Sequence, residues 1–293
     1  MQSADVNGWL VLDKPGGSTS RDAVNRIQRS LPRNTKIGHT GTLDPLATGV
    51  LVICLGHATR LAEYVQAMRK TYRSTFLLGA TSDTDDADGI ITLVSGSQPR
   101  AREDIETAMR MFIGEIDQVP PAYSAAKLGG RRAYDLARAG EEVEIASRRV
   151  TVYGIELLAY SWPRLDIEIH CGTGTYIRSI ARELGRQLGC GALVEVLRRT
   201  RVGPFTADEG LSVDADAETI RRNLRSMLAG VSELPHVNIT AAQAQKIRHG
   251  QALAVDTAEH GAVAVVAEGQ LVAIAHSDGQ ILRPTKVIPA GPT

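Results

Sequence analysis

The stretch Gly38-His-Thr-Gly-Thr-Leu-Asp44-Pro-Leu-Ala-Thr-Gly49 runs directly into Val50-Leu-Val-Ile-Cys-Leu55. Three glycines and a proline mark the first part as a loop, because these residues interrupt both regular backbone conformations. The six apolar residues that follow, closed by Gly49 and Gly56, predict a short strand buried on both faces. A loop that ends in a central strand is a rigid mount for a reactive group, and Asp44 is its carboxylate. Pro45 has no N–H and a fixed φ, so the turn carrying Asp44 is stiff. Pattern alone leaves two roles open: Asp44 either hydrogen-bonds its own turn or does chemistry.

Upstream, Gly8-Trp-Leu-Val-Leu-Asp-Lys-Pro15 predicts a short buried strand stopped by Pro15 and Gly16-Gly17. A helix follows, capped by Ser18, Thr19 or Ser20, with Ala23, Val24, Ile27 and Leu31 inward and Arg21 and Arg29 outward. Downstream, Thr59–Met68 reads as helix. Thr71–Leu78 alternates as a strand that puts Tyr72, Ser74, Phe76 and Leu78 on one face. Ala101–Phe112 predicts a helix, and Val150–Tyr160 and Leu165–Cys171 predict strands, the second with Leu165, Ile167, Ile169 and Cys171 inward. Gly172-Thr-Gly-Thr175 turns into a helix that buries Ile177, Ile180, Ala181, Leu184 and Leu188. From about Asn238 short alternating segments predict a small all-β module. Strands outnumber helices and are not separated by regular crossover helices. The fold class expected is therefore α+β: a mixed, mainly antiparallel sheet flanked by helices, with a small C-terminal β-rich domain.

With 293 residues, 43% apolar and 23% charged, the chain has the composition of an ordinary water-soluble protein. No apolar run approaches the roughly 20 residues that cross a bilayer, and the first residues show no basic-then-apolar leader, so a cytoplasmic location without a membrane partner is expected. Cys54, Cys171 and Cys190 are isolated and read as core thiols. Net charge is zero but unevenly spread. Residues 1–73 hold 10 Lys+Arg against 5 Asp+Glu and residues 123–201 hold 13 against 9, while residues 74–122 hold 3 against 9 and residues 202–293 hold 7 against 10. An electrostatic footprint is local, so the two basic stretches are compatible with a polyanionic partner, although a charge run is also an ordinary solvated face.

Within the second basic stretch, Pro120–Arg149 interleaves Tyr123, Lys127, Arg131, Arg132, Tyr134 and Arg138. Aromatics among cations suit a looped or single-stranded nucleic acid, whose bases stack and whose phosphates need neutralising. Arginines snorkelling from a surface helix would give the same composition. Other chemistries find less support. Gly172-Thr-Gly174 has Ile177 where a dinucleotide loop needs its third glycine, no Gly-Lys-Ser/Thr phosphate loop occurs, and so no nucleotide cofactor is expected. Thr84-Asp-Asp-Ala-Asp88-Gly89 places Thr84 and Ser95 where a calcium loop needs carboxylates, and reads as a solvated acidic turn. There is no Gly-x-Ser-x-Gly elbow and no paired histidines for a metal.

Gly38–Leu51 resembles the active-site motif of the TruB family of tRNA pseudouridine-55 synthases. Further segments match in order: Leu12–Pro15, Lys70–Arg73, Thr81–Gly89, Pro120–Lys127, Cys171–Arg178 and Leu197–Arg199. The match spans residues 9 to about 205, and the C-terminal piece resembles the family's small PUA-type RNA-binding domain only weakly. The resemblance implies a pseudouridine synthase-like catalytic domain over residues 1–230, an RNA-clasping insertion at about 120–149, and a PUA-like domain over 237–293. It implies Asp44 as the nucleophile that isomerises uridine 55 in the T stem-loop of tRNA, without a cofactor; a monomer is expected only as the default state. Tyr72 would stack on the flipped base. Arg178 would hold Asp44 ionised, lowering its pKa by about 1 to 3. His39 would sit near the extruded uridine, Lys14 and Pro15 would line the pocket, and Leu197 would give it an apolar wall. Tyr123, Lys127, Arg131 and Arg132 would touch RNA. Two other readings remain: a tRNA-binding folding factor in which the chemistry is secondary, and a related synthase with a different RNA target.

Overall fold

The structure, a computed structural model, describes residues 6–124, 127–128, 131–132 and 145–290. In chain order its strands begin with β1 (Gly8–Lys14), β2 (Ile37–His39), β3 (Thr48–Leu55) and β4 (Lys70–Leu78). The hairpin β5 (Ala80–Ser82) and β6 (Ile91–Leu93) precedes β7 (Gly114–Gln118), and β8 (Lys127–Leu128) pairs β9 (Arg131–Arg132). Long strands β10 (Arg148–Ser161), β11 (Arg164–Cys171) and β12 (Ala192–Val202) are followed by the short β13 (Phe205–Thr206). One nine-stranded sheet runs β1-β3-β12-β4-β11-β10-β7, with β2 added to β3 and β13 to β12. All its pairings are antiparallel except β12 against β3, where Arg198 and Arg199 face Thr48 and Gly49. The expected mixed, mainly antiparallel sheet is therefore present.

Gly49 makes that parallel contact possible. Its φ is +97°, and a Cβ there would lie 2.2 Å from the carbonyl oxygen of Arg199, so only glycine lets β12 approach the end of the Asp44 loop.

Val50, Leu51, Val52, Ile53, Cys54 and Leu55 are all buried, because opposite faces of β3 meet different layers. Leu51, Ile53 and Leu55 join the main core with Ala23, Val24 and Ile27 of helix α1 (Ser20–Arg29). Val50, Val52 and Cys54 pack with Trp9, Phe205 and Val65 of α2 (Ala62–Ala67). Thr19 caps α1 in a capping box with Asp22, and Leu31, placed on that helix from its spacing, lies just beyond its end but still in the core. The main core also takes Ile105 and Met109 of α3 (Arg102–Arg110) and Ile177, Ile180, Ala181 and Leu184 of α4 (Ile177–Gln187). Fully burying side chains of this size contributes about 1.5–3 kcal/mol each, so the periodicity that names them also names the source of stability.

After α5 (Ala217–Arg222) comes the C-terminal β-rich domain, with β14 (His236–Asn238), β15 (Leu253–Ala254), β16 (His260–Ala267), β17 (Gln270–Asp278) and β18 (Ile281–Val287) in the order β14-β16-β17-β18-β15. It is not all-β as expected: α6 (Ala241–Arg248), opened by a Thr240–Gln243 capping box, buries Ala244 and Ile247 against its sheet. Three alanines and one isoleucine among polar residues over eight positions give too weak a periodic signal to predict a helix. Ala264, Leu271, Ile274 and Ile288 extend the Trp9 core into this domain, and Lys286 pairs with Glu63 at 2.9 Å.

Candidate active site

The Asp44 loop is fastened from three directions. Ser20 Oγ, at the start of α1, accepts from Leu43 N–H at 2.8 Å and donates to Leu43 C=O at 3.1 Å. Gly17 N–H donates to the carbonyl of Pro45 at 2.9 Å. Arg199, buried on β12, donates from Nε to Val50 C=O at 2.7 Å and from Nη2 to Gly41 C=O at 3.0 Å, tying both ends of the loop to one side chain. A turn held this way keeps its carboxylate in place without using the carboxylate itself. The turn's own hydrogen bond likewise uses the main chain of Asp44: Ala47 N–H donates to Asp44 C=O at 3.1 Å.

The side chain of Asp44 instead faces Arg178, whose Nη2 lies 2.9 Å from its Oδ2. Arg178 comes from the first turn of α4, where Gln118 of β7 anchors the chain: Tyr176 N–H donates to Gln118 Oε1 at 2.7 Å and Gln118 Nε2 donates to Tyr176 C=O at 3.1 Å. The guanidinium is buried, and it also meets Asp86 Oδ2 at 3.2 Å, Thr84 C=O at 2.9 Å and Tyr123 C=O at 3.0 Å. Two carboxylates and two carbonyls thus fix one cation, and the cation aims Asp44. The net lowering of the Asp44 pKa expected from this contact is not found. Desolvation in the cavity wall pushes the carboxyl above its ordinary range, and Arg178, pulling the other way, does not cancel it; Asp86 adds to the rise.

A cavity of about 370 Å³ opens beside this pair, lined by Asp44, Arg178, Tyr72, Leu197 and Arg199 and by the Gly172–Ile177 turn. Tyr72 and Leu197 are 8% and 6% exposed and stand in the wall, Tyr72 belonging at the same time to the main core. Burial raises the Tyr72 phenol, the charge of Arg199 opposes that, and the charge of Asp44 adds to it. Flat aromatic and aliphatic walls with one carboxylate at the edge suit a planar base attached to a sugar.

His39 is not on this wall. It lines a neighbouring cavity of about 730 Å³ that shares Asp44 and Arg178 with the first and adds Asp86, Asp88 and Tyr123. Its Nδ1 is buried without a partner among the described residues, and burial, with Arg21 and Arg199 nearby, holds the imidazole below its usual pKa. Lys14 and Pro15 are not among the lining residues of either cavity. Pro15 is exposed, and Lys14 is fully buried behind the loop, where Nζ donates to the carbonyls of Pro15 (2.9 Å), Ser18 (2.7 Å) and Pro45 (3.3 Å). Lys14 supports the loop from behind, and desolvation lowers its pKa to about 8.

Tyr123 is half-buried, and its carbonyl rather than its ring is what binds Arg178. The side chains of Lys127, Arg131 and Arg132, and residues Tyr134 and Arg138, lie outside the described residues. Two members of the site escape a reading of the sequence. Asp86 looks like part of a solvated acidic turn but is 4% exposed beneath Arg178, and Arg199 stands in no motif that gives it a role. Alternation carries a signal for Arg199: it shares the parity of Leu197 and so its inward face.

Over residues 29–177 the chain matches the family described as TruB family pseudouridylate synthase (N terminal domain). The chain belongs to the TruB family. Residues 178–229 match the tRNA pseudouridylate synthase B C-terminal domain, and residues 235–288 match pseudouridine synthase II TruB, C-terminal. The TruB-family chain is 42% identical over 295 residues to the tRNA pseudouridine synthase B of Ruegeria sp. (strain TM1040), covering 97% of itself and 96% of that relative. It is 41% identical to that of Mycobacterium sp. (strain KMS), covering 97% and 99%. Among solved structures it resembles a chain of a Cbf5-Nop10-Gar1 complex, with a TM-score of 0.74, 29% identity, and 97% and 86% of the two chains covered. It also resembles a chain of an H/ACA RNP bound to a substrate RNA containing 2′-deoxyuridine, with a TM-score of 0.72, 28% identity, and 96% and 85% covered. The TruB-family fold class expected from the motifs agrees with these matches.

Proposed function

We propose that this chain isomerises uridine to pseudouridine at position 55 in the T stem-loop of tRNA, with Asp44 as the nucleophile. The observation that carries the reading is the Asp44–Arg178 contact of 2.9 Å at the edge of a base-sized cavity walled by Tyr72 and Leu197. It is supported by relatives named tRNA pseudouridine synthase B that align over nearly the whole chain.

The target base must leave its stack before the cavity can take it, at a cost of a few kcal/mol that stacking on Tyr72 offsets. His39, uncharged and in the adjoining cavity, occupies space beside the extruded nucleotide. Asp44 then attacks either the base or the ribose C1′, and the bond between N1 and C1′ breaks. The base turns within the flat walls, C5 bonds to C1′, the bond to Asp44 breaks to return the free carboxylate, and the C5 proton is lost as N1 gains one. Arg178 keeps the nucleophile aimed throughout.

Residues 1–230 are proposed as the catalytic domain, residues 120–149 as its RNA-clasping insertion with Tyr123, Lys127, Arg131 and Arg132 toward RNA, and residues 237–293 as a PUA-like RNA-binding domain. Action as a monomer belongs to the same proposal, and a tRNA substrate supports a cytoplasmic location.

The test is Asp44→Asn with a T-arm RNA. The expected outcome is intact binding and no pseudouridine; product at near the parent rate would refute the assignment.

A further inference from the structure

On the face of β4, β11 and β12 turned away from the helices, most cations are neutralised. Arg73 meets Glu168 at 2.8 Å, Arg164 meets Glu195 at 2.7 Å, and Arg198 meets Asp13 at 2.8 Å. Arg69, just before β4, and Arg201, near the end of β12, are different. Both are exposed, and neither side chain makes an ion pair or hydrogen bond among the described residues. The two line one cleft of about 430 Å³ together with Lys70, Thr71, Tyr153, His170, Gly203 and a single carboxylate, Glu233, so its cations outnumber its acids.

That cleft adjoins the cavity beside Asp44. Lys70 lines both, and a Cβ placed on Gly172, a cavity residue, would lie 3.6 Å from the Tyr153 hydroxyl. Tyr153 is 44% exposed, and the guanidinium carbon of Arg69 sits 4.1 Å from its ring centroid. A guanidinium over a ring is held by its face, while its N–H donors point outward in its own plane. The stacking therefore orients Arg69 without consuming a donor, which leaves a fork suited to two oxygens of a phosphate.

We propose that this cleft is a phosphodiester subsite, in which Arg69 and Arg201 take the RNA backbone next to the target nucleotide and Tyr153 holds Arg69 in position. The inference rests on the RNA-modifying reading above. Extruding one nucleotide stretches the backbone beside it, and two unpaired cations in the cleft next to the cavity hold the strand in the extruded path. Tyr153 acts here as a positioning residue.

The experiment measures binding of a T-arm RNA to the full chain across a salt series, with the double variant Arg69→Gln/Arg201→Gln against the parent. Kd is expected to rise about tenfold or more, and the slope of log Kd against log salt to fall by about two, one for each phosphate that is no longer neutralised. Arg102→Gln/Arg110→Gln, which removes the same charge from α3, is expected to leave both quantities within about twofold of the parent. Tyr153→Phe keeps the ring and should keep the affinity, whereas Tyr153→Ala should weaken binding in the parent but not in the double variant. Methylphosphonate replacement of the phosphates flanking the target uridine should weaken the parent and not the double variant.

A double variant with the parent Kd and slope overturns the subsite, as does equal sensitivity of both proteins to every flanking methylphosphonate. The two readings fail separately. RNA bound with this two-cation dependence but never converted would refute the functional reading alone. Pseudouridine formed by a double variant of parent affinity would refute the subsite alone.

Discussion

Arg178 Nη1 lies 3.2 Å from Asp86 Oδ2, so the cation that faces the half-buried Asp44 is anchored from behind by another carboxylate that is itself buried. Removing one partner from a buried, hydrogen-bonded charge network costs about 3–5 kcal/mol, because the remaining charge loses its compensation. Asp86→Asn keeps the shape and removes the charge. It should lower single-turnover pseudouridine formation about 10²-fold or more through misplacement of Arg178, with a smaller change in RNA affinity. A parent rate in this variant would show that Asp44 needs no such backing.

The same network sets a pH dependence. Burial holds the Asp44 carboxyl above its ordinary range, with Arg178 restraining the rise, so the acid limb of the rate profile should lie above the ordinary Asp value of about 3.9. Arg178→Lys replaces a fork by a point charge and loses part of that restraint. Its acid limb should move to higher pH, and an unchanged or lower limb would show that Arg178 does not stabilise the anion.

Lys14 allows a stability test. Lys14→Met leaves the carbonyls of Pro15, Ser18 and Pro45 without their shared donor, at about 1–3 kcal/mol for each acceptor that finds no replacement. Denaturant unfolding should show the loss. The folded pKa of about 8 lies below the ordinary lysine value of 10.5, so between these values the folded state binds fewer protons than the unfolded one. The stability of the parent relative to Lys14→Met should therefore rise as pH goes from 8 to 10.5, and a gap that narrows would contradict a buried, partly neutral amine.

Tyr72→Ala should separate catalysis from binding. The ring forms a wall of the cavity, and the RNA contacts proposed above lie on other residues, so kcat should fall about 10²-fold or more and RNA affinity by much less. Product counting under single turnover reads the rate directly, and an unchanged rate would remove Tyr72 from the site.

Much of this molecule is legible in its sequence. Alternation places Tyr72 and Phe76 on the inner face of β4 and Leu165, Ile167, Ile169 and Cys171 on that of β11, because side chains on a strand alternate whatever it pairs with. The apolar run after Gly49 makes β3 a buried central strand, and the ordered motifs bring Asp44 and Arg178 forward as partners. What local pattern cannot supply is company. Periodicity reports which face of an element is buried and is silent on which other element covers it, so Asp86 passes for a surface acid, and the resemblance that puts Lys14 in the pocket wall does not show that it stands behind the loop. The insertion of β12 between β3 and β4 is a long-range pairing, and it alone brings Arg199 across the ends of the Asp44 loop. Local chemistry along the chain is enough to make Asp44 a carboxylate on a stiff turn feeding a central strand. Its charge is settled later, by a desolvated wall set against a guanidinium shared with Asp86, since burial and Coulomb attraction depend on distances that close only when the sheet forms.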